Sequence, residues 1–331
     1  MRSLLLLVVL YFAWAPGARA QEANIRFLTQ AEARSALTDA EAREYYDRLQ
    51  LGEMRAKTGL ALQGLTLAEA RERVREVYGQ RTLDFSPEEQ AMLREAITSL
   101  QARLRERAPV YARTPWSFIK VAATIEGGLP HTRGDSIVFS DALLAQVLSA
   151  HAHKAFTQHL WNLLVHEQTH VLQRRGAAPF TELYTQVFGF RHVVLESAPP
   201  WLTVRNVVNP DGPVQDWVFP DGEGGARRWL VPEIQLRTLD APHMPEDFVL
   251  IATPVQAHGG VWQYLDRTAP EAPLQLTDFS FFAKFPIRDE LFHPNEIAAG
   301  LLAALLTDYG QQTPDAALWQ QTRQWSIQGL R

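Results

Sequence analysis

Cysteine is missing from all 331 residues, which excludes disulfide bridges, thiolate metal ligands and a lipid-modified cysteine behind an export signal. A basic excess is missing too. Against 32 Lys and Arg stand 37 Asp and Glu, so the composition does not favour the cationic face that nucleic-acid binding requires. No internal repeat or low-complexity tract is visible, and beyond the N-terminus no apolar run approaches the roughly twenty residues that cross a bilayer. What the chain does have is 46% hydrophobic residues, enough for a substantial core, and a length that allows more than one domain.

The N-terminus reads as an export signal. Arg2 is a short basic region, Leu4 to Ala13 a hydrophobic one, and Ala18-Arg19-Ala20 a small-residue cleavage site. Residues 1–20 are therefore expected to be removed, with Gln21 as the mature start. The hydrophobic region is too short for a comfortable span. The expected protein is periplasmic or secreted, with no membrane span after signal removal.

The most specific feature is His166-Glu167-Gln168-Thr169-His170, inside the apolar stretch Leu160 to Leu172. Positions i and i+4 share a helix face with Cβ atoms about 5–6 Å apart, so two imidazoles at this spacing can converge on one ion at roughly 2.0–2.1 Å each. Glu167 lies about 100° round the helix. There it can act on an ion-activated water without being a ligand, as a general base. Leu160, Trp161, Leu164, Val165, Val171 and Leu172 supply the apolar face, Arg174 and Arg175 suit the C-terminal dipole, and Gly176 is a plausible stop.

Catalytic zinc takes three protein ligands and leaves one position open, so a third ligand is needed. A metzincin extension would place Gly at 173 and His at 176, where this chain has Gln173 and Gly176. Close-spaced glutamate zincins would place Glu about nineteen or twenty residues beyond the second His, where Gly189 and Phe190 stand. Glu182, Glu196, Glu296 and stray histidines remain. Glu196, before Pro199-Pro200, reads as ordinary surface charge. Glu182 could be a ligand or a carboxylate that orients a zinc histidine. Glu296 follows His293-Pro294-Asn295 and opens an apolar helix, Ile297 to Leu306, with Pro294 at its first position. A first-turn glutamate can project into a cleft or simply favour the helix dipole, worth about 0.3–1 kcal/mol.

The pair His166-Glu167-x-x-His170 and Asn295-Glu296-x-x-Ala299 resembles the gluzincins, the thermolysin-like class of zinc metallopeptidases, whose signature is HExxH with a later Asn-Glu-x-x-Ser/Ala-Asp helix. The resemblance covers two short helices. It implies that His166, His170 and Glu296 bind one zinc per chain, that Glu167 is the catalytic base, and that a peptide or protein is the substrate. Two departures stand out. Gly300 occupies the place of an aspartate that supports a zinc histidine, a role that Glu182 or Asp308 could take. The third ligand also comes late, which requires a large insertion.

That insertion is visible in the pattern. The expected fold class is α+β: a zincin-like core with a helical N-terminal region and an antiparallel β insertion between the two metal-ligand helices. The domain boundaries read as 21–107 helical, 108–200 edge strands and the HExxH helix, 201–285 β insertion, and 286–331 C-terminal helices with the third ligand. Ser86-Pro87-Glu88-Glu89 is a capping box, and Arg71, Glu72, Arg73 and Arg75 read as a solvated face. Trp116 to Ile125 and Ile137 to Ser140 read as strands joined by a polar loop, Gly127 to Asp135. By analogy with strand addition at zincin edges, His131 or Arg133 could face substrate. Asp141 to Ala152 reads as a short helix that leaves His151, His153 and His159 on the surface. Runs at Trp201 to Val208, Asp216 to Pro220, Arg228 to Arg237, Phe248 to Val255 and Val261 to Leu265 read as strands, with Asn209-Pro210-Asp211-Gly212 as a turn. Trp217, Phe219, Trp229 and Trp262 read as core of that sheet, and Asp315 to Ile327 as a terminal helix.

The expected activity is peptide-bond hydrolysis by a zinc-activated water, with Glu167 moving the proton to the departing amine. His293, Arg133, His131 and Tyr184, in that order, are candidates for stabilising the oxyanion, and Asn295 for supporting the site. An alternative is a zinc-stabilised, catalytically inactive binding or assembly protein of the cell envelope.

Overall fold

In the computed structural model, residues 23–150, 154–212, 214, 216–222, 224, 227–286, 292–309 and 315–331 are described. The export signal at 1–20, Gln21 as mature start, His151 and His153 lie outside them. Up to Arg107 the chain is mostly helical: α1 (Gln30–Thr38), α2 (Ala40–Arg48), α3 (Leu51–Thr58), α4 (Leu67–Gln80) and α5 (Pro87–Arg107). Capping boxes open four of these helices, Thr29 with Glu32, Gln50 with Glu53, Thr66 with Glu69, and Ser86 with Glu89. Such a cap satisfies orphan N–H groups and is worth about 0.5–2 kcal/mol. Leu37, Val74, Leu93 and Leu100 on the inward faces are fully buried, each contributing about 1.5–3 kcal/mol.

This region is not purely helical. β1 (Ile25–Phe27) and β2 (Thr82–Leu83) both pair with β3 (Trp116–Val121), β1 in parallel and β2 antiparallel. Phe27 explains the docking of β1, since its ring stacks on Phe118 and meets Phe85 edge-on. The first sheet runs β1-β3-β5-β4, with β4 (His131–Arg133) antiparallel to β5 (Ser136–Ser140) at the edge. Two expectations change here. The strand expected to reach Ile125 stops at Val121, because the chain turns through Glu126, Gly127 and Gly128, all at positive φ, a conformation glycine adopts without penalty. The expected polar loop contains β4, because Gly134 at φ 52° makes a two-residue hairpin turn that returns the chain onto β5.

After α6 (Pro109–Arg113), the helical stretch α7 (Asp141–Ala150), α8 (Lys154–Arg175) and α9 (Ala177–Glu182) follows the first sheet. The second sheet is antiparallel and comes later: β6 (Arg191–His192), β7 (Trp217–Asp221), β8 (Arg228–Leu236), β9 (Phe248–His258), β10 (Val261–Tyr264) and β11 (Leu274–Gln275). Its order is β10-β9-β8-β7-β6, with β11 also on β9. The strand expected at Trp201 to Val208 is instead a helical turn, α10 (Pro200–Thr203), then a single bridge between Asn206 and Gln235. Pro200 at the first helical position, with its fixed φ, starts that turn and cannot donate to a ladder. Trp217, Phe219 and Trp262 are buried as expected, and half-buried Trp229 packs edge-on to Trp262 at 5.7 Å. The chain then forms α11 (Pro294–Thr307) and α12 (Ala316–Gly329). The fold is α+β with two sheets, and α11 lies along α8. Leu164, Val165 and Val171 share one core with Ile297, Leu301 and Leu302, and that packing brings the two helices together.

Candidate metal centre

On α8 the His166 and His170 rings are 4.9 Å apart, with their Nε2 atoms 3.1 Å from each other. The first turn of α11 brings in Glu296, whose Oε2 lies 3.4 Å from His166 Nε2 and 3.2 Å from His170 Nε2. Pro294 sits at the first position of α11, and His293 caps it by accepting the Asn295 N–H at Nδ1. These three side chains form a group that could hold a metal ion. The donor triangle suits one. Ligand atoms on a tetrahedral ion, bound at roughly 2.0–2.1 Å, stand about 3.3–3.4 Å apart, and no thiolate is needed.

The charges point the same way. Burial lowers the affinity of His170 for a proton, yet the adjacent Glu296 carboxylate outweighs burial and pushes its pKa up to about 9. Burial raises that of Glu296, but His170 and His166 hold the carboxyl well below the usual range. The pocket favours positive charge, and a metal ion would replace the proton there.

The donors are held from behind. Gln173 Nε2 donates to the Asn295 carbonyl (3.0 Å), so its Oε1 faces His170 and accepts from Nδ1 (2.8 Å). That bond leaves the His170 Nε2 lone pair for an ion and links the two helices through one side chain. Asn209 Nδ2 donates to Glu296 Oε1 at 2.5 Å. The residues between the histidines are anchors: Gln168 donates to Pro115 O (3.1 Å), and the Thr169 and Tyr111 hydroxyls bond at 2.7 Å. Neither Glu182 nor Asp308, each considered as a carboxylate that orients a histidine of this group, does so. Glu182 is exposed at the end of α9, and Asp308 pairs with Arg103 and Arg107. Nor is Glu196 a loose surface charge, since it accepts the Tyr264 N–H (3.1 Å) and pairs with Arg267.

A cavity of about 1000 Å³ is lined by two of the donors, His166 and Glu296, and by Glu167, His131, Leu163, Phe248 and Phe292. Glu167 is 3% exposed. His159, expected on the surface, is exposed, but it also lines the cavity and bonds the Tyr309 hydroxyl. The other candidates divide. His131 is buried; its Nδ1–H donates to Leu129 O (3.1 Å), while Nε2 has no hydrogen-bond partner among the described residues. Burial pushes its pKa down to about 4, with the Arg133 charge adding to the effect. Arg133 is not among the residues that line the cavity: its guanidinium donates to Glu126 (3.0 Å) and lies 3.7 Å from the centre of the Tyr45 ring. His293 spends both nitrogens inside the fold, Nδ1 on Asn295 and Nε2 on Val214 O (3.3 Å). Tyr184 is buried against Trp217, and burial, then the Glu296 charge, raises its phenol far above its ordinary range.

The edge of β4 is closed to strand addition. Thr132 N–H donates to Asp211 Oδ1 (2.7 Å), and Thr132 O accepts from Arg174 Nη2 (3.4 Å), which also donates to Pro210 O (2.7 Å). These outward backbone groups are already spent, the N–H on Asp211 and the carbonyl on Arg174 of α8. Gln173, Asn209, Asp211 and Arg174 are the residues sequence reasoning missed. Asn209-Pro210-Asp211-Gly212 carried a turn signal, but only the third dimension says what the turn lies against.

Comparison of the chain with protein-family models, with curated proteins and with solved structures gave no match.

Proposed function

We propose that this protein is an exported zinc-dependent peptidase with a zincin-like core and a gluzincin-type site. The observation that carries the reading is the convergence of His166, His170 and Glu296 from two helices far apart in sequence, with Glu167 on the wall of the same cavity. Two imidazoles and one carboxylate are a donor set that zinc takes in catalytic sites. When bound, zinc supplies Lewis-acid polarisation of a carbonyl and acidifies water. Glu167 takes the proton of the attacking water on its carboxylate and delivers it to the departing amine. Gln173 and Asn209 keep the donors aimed, and Leu163, Phe248 and Phe292 offer an apolar wall to a substrate side chain.

Glu167→Gln tests this. The variant is expected to hold zinc with parental affinity and to lose peptide cleavage by about 10²–10⁴-fold, measured on a mixed peptide library with metal content by mass spectrometry. Parental turnover in that variant would overturn the mechanism. One observation favours the other reading, a zinc-stabilised envelope binding or assembly protein: the Thr132 edge, where an extended peptide would add, is occupied. Zinc binding with no cleavage by the parent protein would select it.

A further inference from the structure

The structure assigns Asn209, in the segment that joins α10 to the second sheet, as a positioning residue for the third metal donor, so that this sheet segment is part of the metal centre. The assignment rests on the metal-binding half of the reading above.

The segment is fixed at each residue. Val207 N–H donates to Ile234 O on β8 (3.0 Å). Val208 is pinned on both sides, its N–H on Glu53 Oε1 (2.6 Å) and its carbonyl on Lys57 Nζ (2.6 Å). Asn209 Oδ1 accepts the Asp211 N–H (3.0 Å), which settles the orientation of the amide and leaves Nδ2 as the group facing Glu296. Gly212 then lies against the start of α11 so closely that a Cβ there would stand 2.9 Å from Asn295 Nδ2. Asp211 and Pro210 hold the other side, on Thr132 and Arg174.

The consequence concerns the two oxygens of Glu296. Asn209 occupies Oε1 at 2.5 Å, and only Oε2 faces the imidazoles. A carboxylate without that bond can rotate and present either oxygen or both, at a cost in ordering when it binds an ion. Held this way, it is a one-atom donor in place before the ion arrives. Coupling is reciprocal, so an ion on Glu296 also stabilises residues 207–212.

Zinc affinity, measured by chelator competition on the full chain, tests the assignment. Asn209→Leu, of similar branching, is expected to weaken zinc binding by about 10–100-fold and to alter the visible absorption of the cobalt-substituted protein. Asp211→Ala, which loosens the same segment without touching Glu296, is expected to keep the parental cobalt spectrum and to lose less affinity. If Asn209→Leu does not fold, Asn209→Ala removes the amide without adding bulk. Hydrogen exchange supplies a second readout: zinc should slow exchange of the Val208 and Asp211 amides in the parent, and less so in the Asn209 variant. Parental affinity and spectrum in both Asn209 variants overturn the assignment alone. Equal losses in the Asn209 and Asp211 variants also overturn it, since displacement of the segment would then be the cause. A parent that binds no zinc overturns the assignment and the proposed function together.

Discussion

Two buried polar clusters border the same cavity, and they differ in what supplies the positive charge. In the first, Lys57 Nζ lies 3.0 Å from Glu53 and 3.2 Å from Glu126, Arg133 lies 3.0 Å from Glu126, and the Tyr45 and Tyr78 hydroxyls donate to Glu126 at 2.5 and 2.7 Å. Two cations face two carboxylates. Burial alone would raise Glu126, but Lys57 and Arg133 hold its carboxyl far below the usual range; Glu53 is the softer partner, pushed up by burial. In the second cluster, the Glu296 carboxylate stands with the two imidazoles of His166 and His170. The first cluster closes on itself and acts as structure. In the second, the positive charge that Glu296 favours sits as a proton on His170, and a metal ion would replace it.

Breaking the matched cluster should give the largest effect. Glu126→Gln leaves Lys57 and Arg133 buried with one weak counter-charge, and unfolding in denaturant should show a loss of about 3–5 kcal/mol; a loss below about 1 kcal/mol would mean the network is not closed as described. Next comes a change at the imidazole cluster. Gln173→Ala frees the His170 ring and should cost about 10–100-fold in zinc affinity, while zinc-free stability moves far less than in Glu126→Gln; unchanged affinity would remove Gln173 from the site.

The smallest effect sharpens the comparison with a carboxyl whose hydrogen-bond partners are hydroxyls. Glu233 is buried in the second sheet with only the Thr253 and Tyr264 hydroxyls as partners among the described residues (2.5 and 3.3 Å), and burial pushes it up to about 7 from 4.5. Below about pH 4.5 both folded and unfolded chains hold this proton. Between there and pH 7 only the folded chain does, so stability from this group falls as pH rises through that window, by roughly 1–3 kcal/mol. Glu233→Gln should flatten the dependence in thermal melts across pH 4.5–7. An identical slope in parent and variant would show that Glu233 is not the titrating group.

Legibility followed the range of the interactions. Helix α8, its two histidines, the Pro294 start of α11 and most strands of the second sheet were readable, because spacing, caps and alternation act within a few residues. The strand expected at Trp201 was misplaced because its aromatic and β-branched residues outweighed Pro199-Pro200 in the reading, whereas in the fold the prolines decide the backbone. β4 was hidden in a glycine-rich loop, since a three-residue strand has too little pattern of its own and exists through pairing with β5. Arg133, considered for substrate contact, was claimed by Glu126, which the Gly127-Gly128 turn sets at φ 49° and which no local pattern pairs with Arg133.

By itself the order of residues determined which side chains carry chemistry and how His166 and His170 face each other, since one turn of helix sets that distance wherever the helix lies. Only tertiary structure decided that Glu296 meets them, that Gln173 and Asn209 hold the donors, and that Asp211 closes the edge of β4. Those contacts join segments many residues apart, and the packing of α11 along α8, with the second sheet's segment laid across both, brings them within bonding distance.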